Sequence, residues 1–165
     1  KESEDSIMDP ENIERRLQSV CPSSEPYEVM HKTAYRVHER VANRYVDGRI
    51  FLAGDAAHVN NPLGGMGMNG GIHDAMNLVE KLKKVWHGGS LETMGRYERQ
   101  RRKVAIETVQ AQALRNRAIL NTSDPEQRLA YYTELQKTVN DPIKHKAYVM
   151  RSSMITSLRE LEKID

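Results

Sequence analysis

Residues 48–78 read GRIFLAGDAAHVNNPLGGMGMNGGIHDAMNL and decide how the rest of the chain is interpreted. The segment opens with a continuous apolar run, residues 49–53, which is typical of a parallel strand buried on both faces. Asp55 follows at the carboxyl end of this predicted strand, where ligands of open α/β sheets bind. A glycine-rich loop then leads into a helix predicted from Asp74 to Trp86, with its apolar residues on one face. This order of elements predicts a ligand-binding edge.

The glycine-rich loop contains a literal G-x-G-x-x-G, at Gly65, Gly67 and Gly70. It is not a dinucleotide fingerprint, because that motif begins where a strand ends and Gly65 lies eleven residues beyond Gly54. The loop ends instead at a helix N-terminus, whose free N–H groups suit a negatively polarised oxygen. Small residues such as Gly54 let a ligand lie close to the backbone.

The segment resembles the second FAD-binding motif of the class A aromatic monooxygenases, the para-hydroxybenzoate hydroxylase-like family. The shared pattern is an apolar strand, Gly-Asp-Ala-Ala-His at 54–58, Pro62, a glycine-rich turn ending Gly-Met-Asn at 67–69, and Asp-Ala-Met-Asn-Leu at 74–78. Flanking stretches also look familial, YRVHERV at 35–41 and YERQRR at 97–102.

The resemblance implies a set of cofactor-binding residues: Gly54, Asp55, Pro62, Gly65, Gly67, Met68 and Asn69. Within this set, Asp55 would bind the ribityl chain of FAD and Pro62 would lie beside the isoalloxazine ring. Backbone N–H groups of residues 67–69 would face the pyrimidine edge, where a helix N-terminus stabilises the negative charge of reduced flavin. No catalytic side chain and no metal are implied, because the cofactor carries the chemistry.

The resemblance also implies a reaction. In this family NAD(P)H reduces FAD, O2 adds at flavin C4a, and the hydroperoxide hydroxylates an aromatic small molecule. Two alternatives stay open. One is another flavin-dependent oxidoreductase or a halogenase of the same fold, and the other is a non-catalytic helical interaction module.

The remaining sequence predicts an α+β, mainly α fold in three parts. Residues 1–46 would be a remnant of a substrate domain, with a short helix at 10–20 and a long half-buried strand at 27–38. Residues 47–120 would be the second half of an FAD-binding domain, including a long helix from 91 to about 120. Residues 121–165 would form C-terminal helices.

The β-α-β unit and the middle Asp-Gly motif of the family are absent from the sequence. We therefore expect the C-terminal portion of the fold, without its N-terminal Rossmann half. By itself this portion should be inactive, hold no FAD, and self-associate as a homo-oligomer through its unpaired strands.

Composition excludes several other classes of protein. The 165 residues have a formal net charge of only +2, which argues against a nucleic-acid partner. A single cysteine, Cys21, excludes a disulfide scaffold and a multi-cysteine zinc site. No apolar run is long enough for a membrane span, so a cytoplasmic protein is expected. His58 is expected at the surface or in a supporting role, and the basic run within residues 96–103 on a solvated helix face.

Overall fold

The computed structural model describes residues 2–165 and divides into two compact units, one up to Val37 and one from His38 to Asp165. The domain boundaries predicted after residues 46 and 120 stay predictions. The second and third predicted parts lie in a single unit.

The regular secondary structure of the first unit consists of two helices, α1 (Glu4–Met8) and α2 (Pro10–Val20). The predicted start of α2 is confirmed: the side chain of Asp9 accepts a hydrogen bond from the Glu11 N–H, and Pro10 occupies the first turn. An aspartate cap followed by proline is a local signal, so the sequence alone was enough to place it.

The long strand predicted at 27–38 does not form, since residues 26–39 carry neither helix nor strand. The alternation of apolar and polar residues is present, but no other strand pairs with this segment within residues 2–165. Its backbone is instead attached to the helices, where the Tyr27 N–H donates to the Glu14 carboxylate at 3.0 Å. Alternation is necessary for a half-buried strand but cannot supply the hydrogen-bonding partner.

Short antiparallel strands open the second unit. They are β1 (Arg40–Val41), β2 (Val46–Asp47), β3 (Ile50–Phe51) and β4 (His58–Val59), with β1 paired to β4 and β2 to β3. The parallel strand predicted at 49–53 is therefore wrong. Gly48, at a φ of +57°, turns the chain back so that the apolar run pairs with the residues just before it.

Helices make up most of the second unit, as predicted. They are α3 (Met66–Trp86), α4 (Thr93–Val104), α5 (Ala111–Asn121), α6 (Pro125–Asn140), α7 (Pro142–Ser152) and α8 (Ile155–Leu161). A π-helical segment, Ala105–Gln110, joins α4 to α5, so the predicted long helix is confirmed as one continuous element. None of these helices is both long and apolar enough to cross a membrane.

The core of the second unit has two apolar clusters on either side of α4. The first contains Tyr45, Ala57, Met94, Tyr97 and Ala105, against which Leu78, Leu82 and Val85 of α3 pack. The second contains Met66, Val104, Val109, Met154 and Leu161. Helix α4 therefore connects the short strands, helix α3 and the C-terminal helix α8.

The basic run on α4 is not the solvated face that was predicted. Arg101 is 1% exposed, and the guanidinium groups of Arg102 and Arg96 donate to the carbonyls of Ala42 and Ile164 at 3.1 and 2.8 Å. Arg99 and Lys103 are exposed, as expected. Long cationic side chains can lie along apolar surface while their N–H groups satisfy carbonyls, so charge alone does not assign a helix face.

Shortening the core residue Met94 should destabilise the protein far more than shortening an exposed methionine. Met94 is 0% exposed, whereas Met30 is 85% exposed. We expect Met94→Ala to lower the free energy of unfolding by about 2–5 kcal/mol and Met30→Ala to leave it nearly unchanged. Urea denaturation followed by circular dichroism measures both, and equal losses would contradict the packing described here.

Candidate functional site

A short 3-10 turn, Gly54–Ala56, follows β3 and lies against helix α3. Gly54 adopts a φ of +59°, a conformation that favours glycine. A Cβ added at Gly71 would lie 3.3 Å from the Gly54 Cα, so the missing side chain at Gly71 permits this close approach. The backbone of the turn is thereby held on the second turn of α3.

Asp55 is exposed on this turn, and it does not serve as a turn cap. The residue at the cap position is Ala53, and no side chain caps the turn. Asp55 borders a cavity of about 340 Å³ that is lined by residues 40–43 and 55–59. Its carboxylate is therefore available to a ligand that offers hydroxyl donors.

The glycine-rich loop leads into helix α3, whose N-terminus has no side-chain cap. Gly64 and Gly65 have φ values of +113° and +64°, and Gly65 is the N-cap of α3 without any side-chain cap. No acidic residue lies in the first turn. Space is open around the Gly67 Cα, and Met68 and Asn69 are exposed. The free N–H groups of this turn can therefore be approached by an anionic or carbonyl oxygen.

The loop that carries Pro62 is held by a hydrogen bond from helix α5. The Asn116 side chain donates to the Leu63 carbonyl at 3.3 Å, and the Gly65 N–H donates to the Pro62 carbonyl at 3.1 Å. Pro62 itself is exposed. Of the predicted set, Gly65, Gly67, Met68 and Asn69 therefore lie together at one helix start, and Gly54 contacts the same helix one turn later.

Behind the turn and the helix start lies a buried carboxylate that the sequence did not single out. Asp74 is 0% exposed and accepts three hydrogen bonds. The Gly54 N–H donates at 3.0 Å, His58 Nε2 at 2.8 Å and Arg101 Nε at 2.6 Å. Asp74 thus joins the 3-10 turn, strand β4 and helix α4 at one point.

His58 and Arg101 extend this network in two directions. The Asn60 amide nitrogen lies 3.0 Å from His58 Nδ1, an arrangement satisfied by a neutral imidazole with its proton on Nε2. Arg101 Nη2 donates to the Gly70 carbonyl at 3.2 Å. His58 is 2% exposed, so of the two expected alternatives, a surface location or a supporting role, its contacts fit the supporting role.

The pKa of Asp74 follows from two opposed effects. Burial alone would raise it, but the hydrogen bond from His58, the charge and hydrogen bond of Arg101, and the Gly54 N–H outweigh burial and lower it. Asp74 is therefore ionised at neutral pH, and it compensates the buried guanidinium beside it.

Sequence reasoning did not join His58, Asp74 and Arg101 into one network, because these residues are remote from one another along the chain. The pair Gly70-Gly71 lies inside α3, where glycine is costly and often marks close packing, but this signal was hidden because the helix was predicted only from Asp74 and begins at Met66. A Cβ at Gly70 would lie 3.2 Å from His58 Cε1, so this glycine makes room for the buried imidazole.

Comparison with known proteins gives consistent matches. A family model described as "FAD binding domain" matches residues 1–112. Para-nitrophenol 4-monooxygenase of Pseudomonas sp. (strain WBC-3) is 36% identical over 155 residues, which is 93% of this chain and 38% of that protein. The 6-hydroxy-3-succinoylpyridine 3-monooxygenase of Pseudomonas putida (strain DSM 28022 / S16) is 42% identical over 105 residues, or 63% of this chain and 27% of that protein.

The fold also matches a solved structure. The crystal structure of p-nitrophenol 4-monooxygenase from Pseudomonas putida DLL-E4 aligns with a TM-score of 0.69 and 30% identity, covering 99% of this chain and 39% of that one. The mainly helical fold predicted from the sequence is confirmed. The chain spans less than two fifths of the length of each of these relatives.

Substitutions at two glycines of α3 should change stability in opposite directions. An added methyl at Gly71 meets the Gly54 backbone at 3.3 Å, whereas one at Gly67 meets nothing within 4 Å. We expect Gly71→Ala to destabilise by about 1–3 kcal/mol and Gly67→Ala to stabilise by about 0.5–1 kcal/mol, because alanine favours a helix. Urea denaturation measures both, and an equal or more stable Gly71→Ala would disprove the close approach.

The stability of the protein should depend on the ionisation of Asp74. Because its pKa is lower in the folded state, ionised Asp74 contributes stability above its ordinary value near 4. That contribution is lost as the pH falls through the lowered folded value. We expect the thermal midpoint of Asp74→Asn to be lower than wild type at pH 7 and to fall less between pH 5 and 3. Parallel pH profiles would contradict this, and Asp47→Asn, an exposed residue, is the matched control.

Proposed function

Because this chain belongs to the FAD binding domain family, we propose that it forms the C-terminal part of an FAD-dependent aromatic monooxygenase. The proposed reaction hydroxylates an aromatic small molecule with NAD(P)H and O2. Support for an aromatic substrate comes from the relatives, whose names specify p-nitrophenol and a substituted pyridine. FAD, when bound, supplies the redox chemistry of hydride acceptance and oxygen activation.

The observation that carries the proposal is the exposed Asp55 carboxylate, which does not cap its own turn. That turn is held against the N-terminal part of α3. A carboxylate acts only as an acceptor, so it suits a chain of hydroxyl groups such as the ribityl group of FAD. The backbone before Asp55 is held in place, because the Gly54 N–H donates a hydrogen bond to the Asp74 carboxylate at 3.0 Å. We propose Asp55 as the ribityl ligand on this basis.

The start of α3 suits the other end of a flavin. The N–H groups of Gly67 and Met68 are not capped by any side chain, and no carboxylate lies in the first turn to compete. The Asn69 N–H already donates to the Gly65 carbonyl, because Gly65 is the N-cap of α3. Partial positive charge at a helix N-terminus favours negative charge on the pyrimidine edge. The open space beside Gly67 leaves room for a flat ring. Gly65, in the left-handed conformation, sets the direction in which the chain enters α3.

In this proposal the chain binds and orients rather than reacts. Asp55 and the amides of 67–69 position the cofactor, and Pro62 provides an exposed, rigid surface beside the ring. We assign no general acid, base or metal ligand among these residues. We propose that this chain by itself, without the further residues that its relatives contain, holds no FAD and self-associates. Self-association is supported by exposed apolar residues of α3, which are Ile72, Met76, Val79 and Trp86.

Removal of the Asp55 carboxylate should weaken FAD binding without unfolding the protein. We expect Asp55→Ala, in the complete protein, to cost about 1–3 kcal/mol of FAD affinity through the lost polar contact. Titration of apoprotein with FAD, followed by flavin fluorescence, measures the affinity.

Asp47→Ala is the matched control, because Asp47 is an exposed aspartate of the neighbouring hairpin and should leave FAD affinity unchanged. Normal FAD affinity in Asp55→Ala would remove Asp55 from the site. Absence of FAD from the complete wild-type protein would overturn the proposed function itself.

A further inference from the structure

We infer that Asp74 is the positioning residue of the FAD site: one buried carboxylate sets the relative placement of all three segments proposed to contact the cofactor. This inference rests on the proposed function. Asp74 itself touches no ligand, because it is 0% exposed and its oxygens face protein donors. Its effect must therefore pass through the residues that it holds.

The first segment is the turn that carries Asp55. The Gly54 N–H donates to Asp74 Oδ2 at 3.0 Å, and Gly54 is the residue directly before Asp55. The turn also packs on Gly71, three residues before Asp74 on the same helix. A shift of Asp74 would therefore move the backbone from which the proposed ribityl ligand projects.

The second segment is the loop that leads to Pro62. Asp74 Oδ2 accepts a second hydrogen bond from His58 Nε2, and the opposite ring nitrogen of His58 lies 3.0 Å from the Asn60 amide. Asn60 is two residues before Pro62. His58 is thus a rigid link between the buried carboxylate and the loop proposed to lie beside the ring.

The third segment is the start of α3. Asp74 Oδ1 binds Arg101 Nε at 2.6 Å, and Arg101 Nη2 donates to the Gly70 carbonyl at 3.2 Å. Gly70 directly follows the amides proposed to face the pyrimidine edge. Through Arg101, helix α4 therefore fixes where the N-terminal part of α3 lies relative to the turn.

Only a carboxylate satisfies this set of donors. Two oxygens accept from three N–H groups on opposite sides, and an asparagine has one acceptor oxygen and one donor nitrogen. In either orientation an asparagine would aim its NH2 group at a donor, either Arg101 or the pair Gly54 and His58. It would also leave the Arg101 guanidinium, 1% exposed, without a counter-charge.

The test uses the complete protein and two variants of the network. Asp74→Asn is expected to weaken FAD affinity at least tenfold and to change the visible circular dichroism of the flavin that still binds. His58→Gln keeps the Asp74–Arg101 pair but breaks the link to Asn60, so a smaller loss, roughly threefold or more, is expected. Visible dichroism reports the surroundings of the ring, which a general loss of stability would not alter in the bound fraction.

Glu80→Gln is the matched control. Glu80 is a carboxylate on the same helix, paired with Lys84 at 2.8 Å but exposed, so its removal should leave the affinity and the dichroism unchanged. If Asp74→Asn does not fold, His58→Gln decides the matter. Weaker FAD binding by His58→Gln, with unchanged far-ultraviolet dichroism and thermal midpoint of the apoprotein, supports the inference.

Two outcomes overturn the inference in distinguishable ways. Wild-type affinity and dichroism in folded Asp74→Asn, or in His58→Gln where Asp74→Asn does not fold, would reject Asp74 as a positioning residue and leave the proposed function standing. A complete wild-type protein that binds no FAD would reject both.

Discussion

The buried ion pair between Asp74 and Arg101 is the interaction on which the rest of the second unit depends. Both side chains are at most 1% exposed, and their oxygen and nitrogen lie 2.6 Å apart. Burying two charges carries a large desolvation cost that only good geometry and further hydrogen bonds can offset. Here the further bonds come from Gly54, His58 and Gly70, which are the residues that shape the candidate site. The elements of the site are thus held together by the same contacts that make the ion pair tolerable.

Some glycines of residues 54–71 are required by packing around this network. Gly70 and Gly71 let His58 and the 3-10 turn approach the helix backbone. Glycine inside a helix is unfavourable relative to alanine by roughly 0.5–1 kcal/mol. That cost is offset by the hydrogen bonds of Asp74, because side chains at positions 70 and 71 would keep His58 and Gly54 away from its carboxylate.

Helices of this chain were predictable because their signals are local. Asp9-Pro10 starts α2 as predicted, and α6 has the same kind of start, with Asp124 as its cap and Pro125 in its first turn. The strand at 27–38 and the parallel strand at 49–53 were wrong, because a strand depends on a partner that its own sequence does not encode. The cofactor-binding roles of Asp55 and of the amides of residues 67–69 stay predictions that rest on a resemblance between motifs, whereas the start of α3 at Met66 lies eight residues before the predicted start at Asp74. Arg101 was missed, since its burial depends on a carboxylate 27 residues away.

Helix α3 is held by different forces along its length. Its C-terminal half packs Leu78, Leu82 and Val85 against the apolar core, whereas its N-terminal half buries little apolar surface beyond Met66 and is fixed by Asp74 and the Gly70 carbonyl. Apolar packing is non-directional and tolerates small rotations, whereas hydrogen bonds have narrow distance and angle preferences. The half of the helix whose amides are proposed to meet a flavin is therefore the half whose orientation is set by directional bonds. Placing the polar network there, rather than in the middle of the core, gives geometric accuracy where a cofactor requires it.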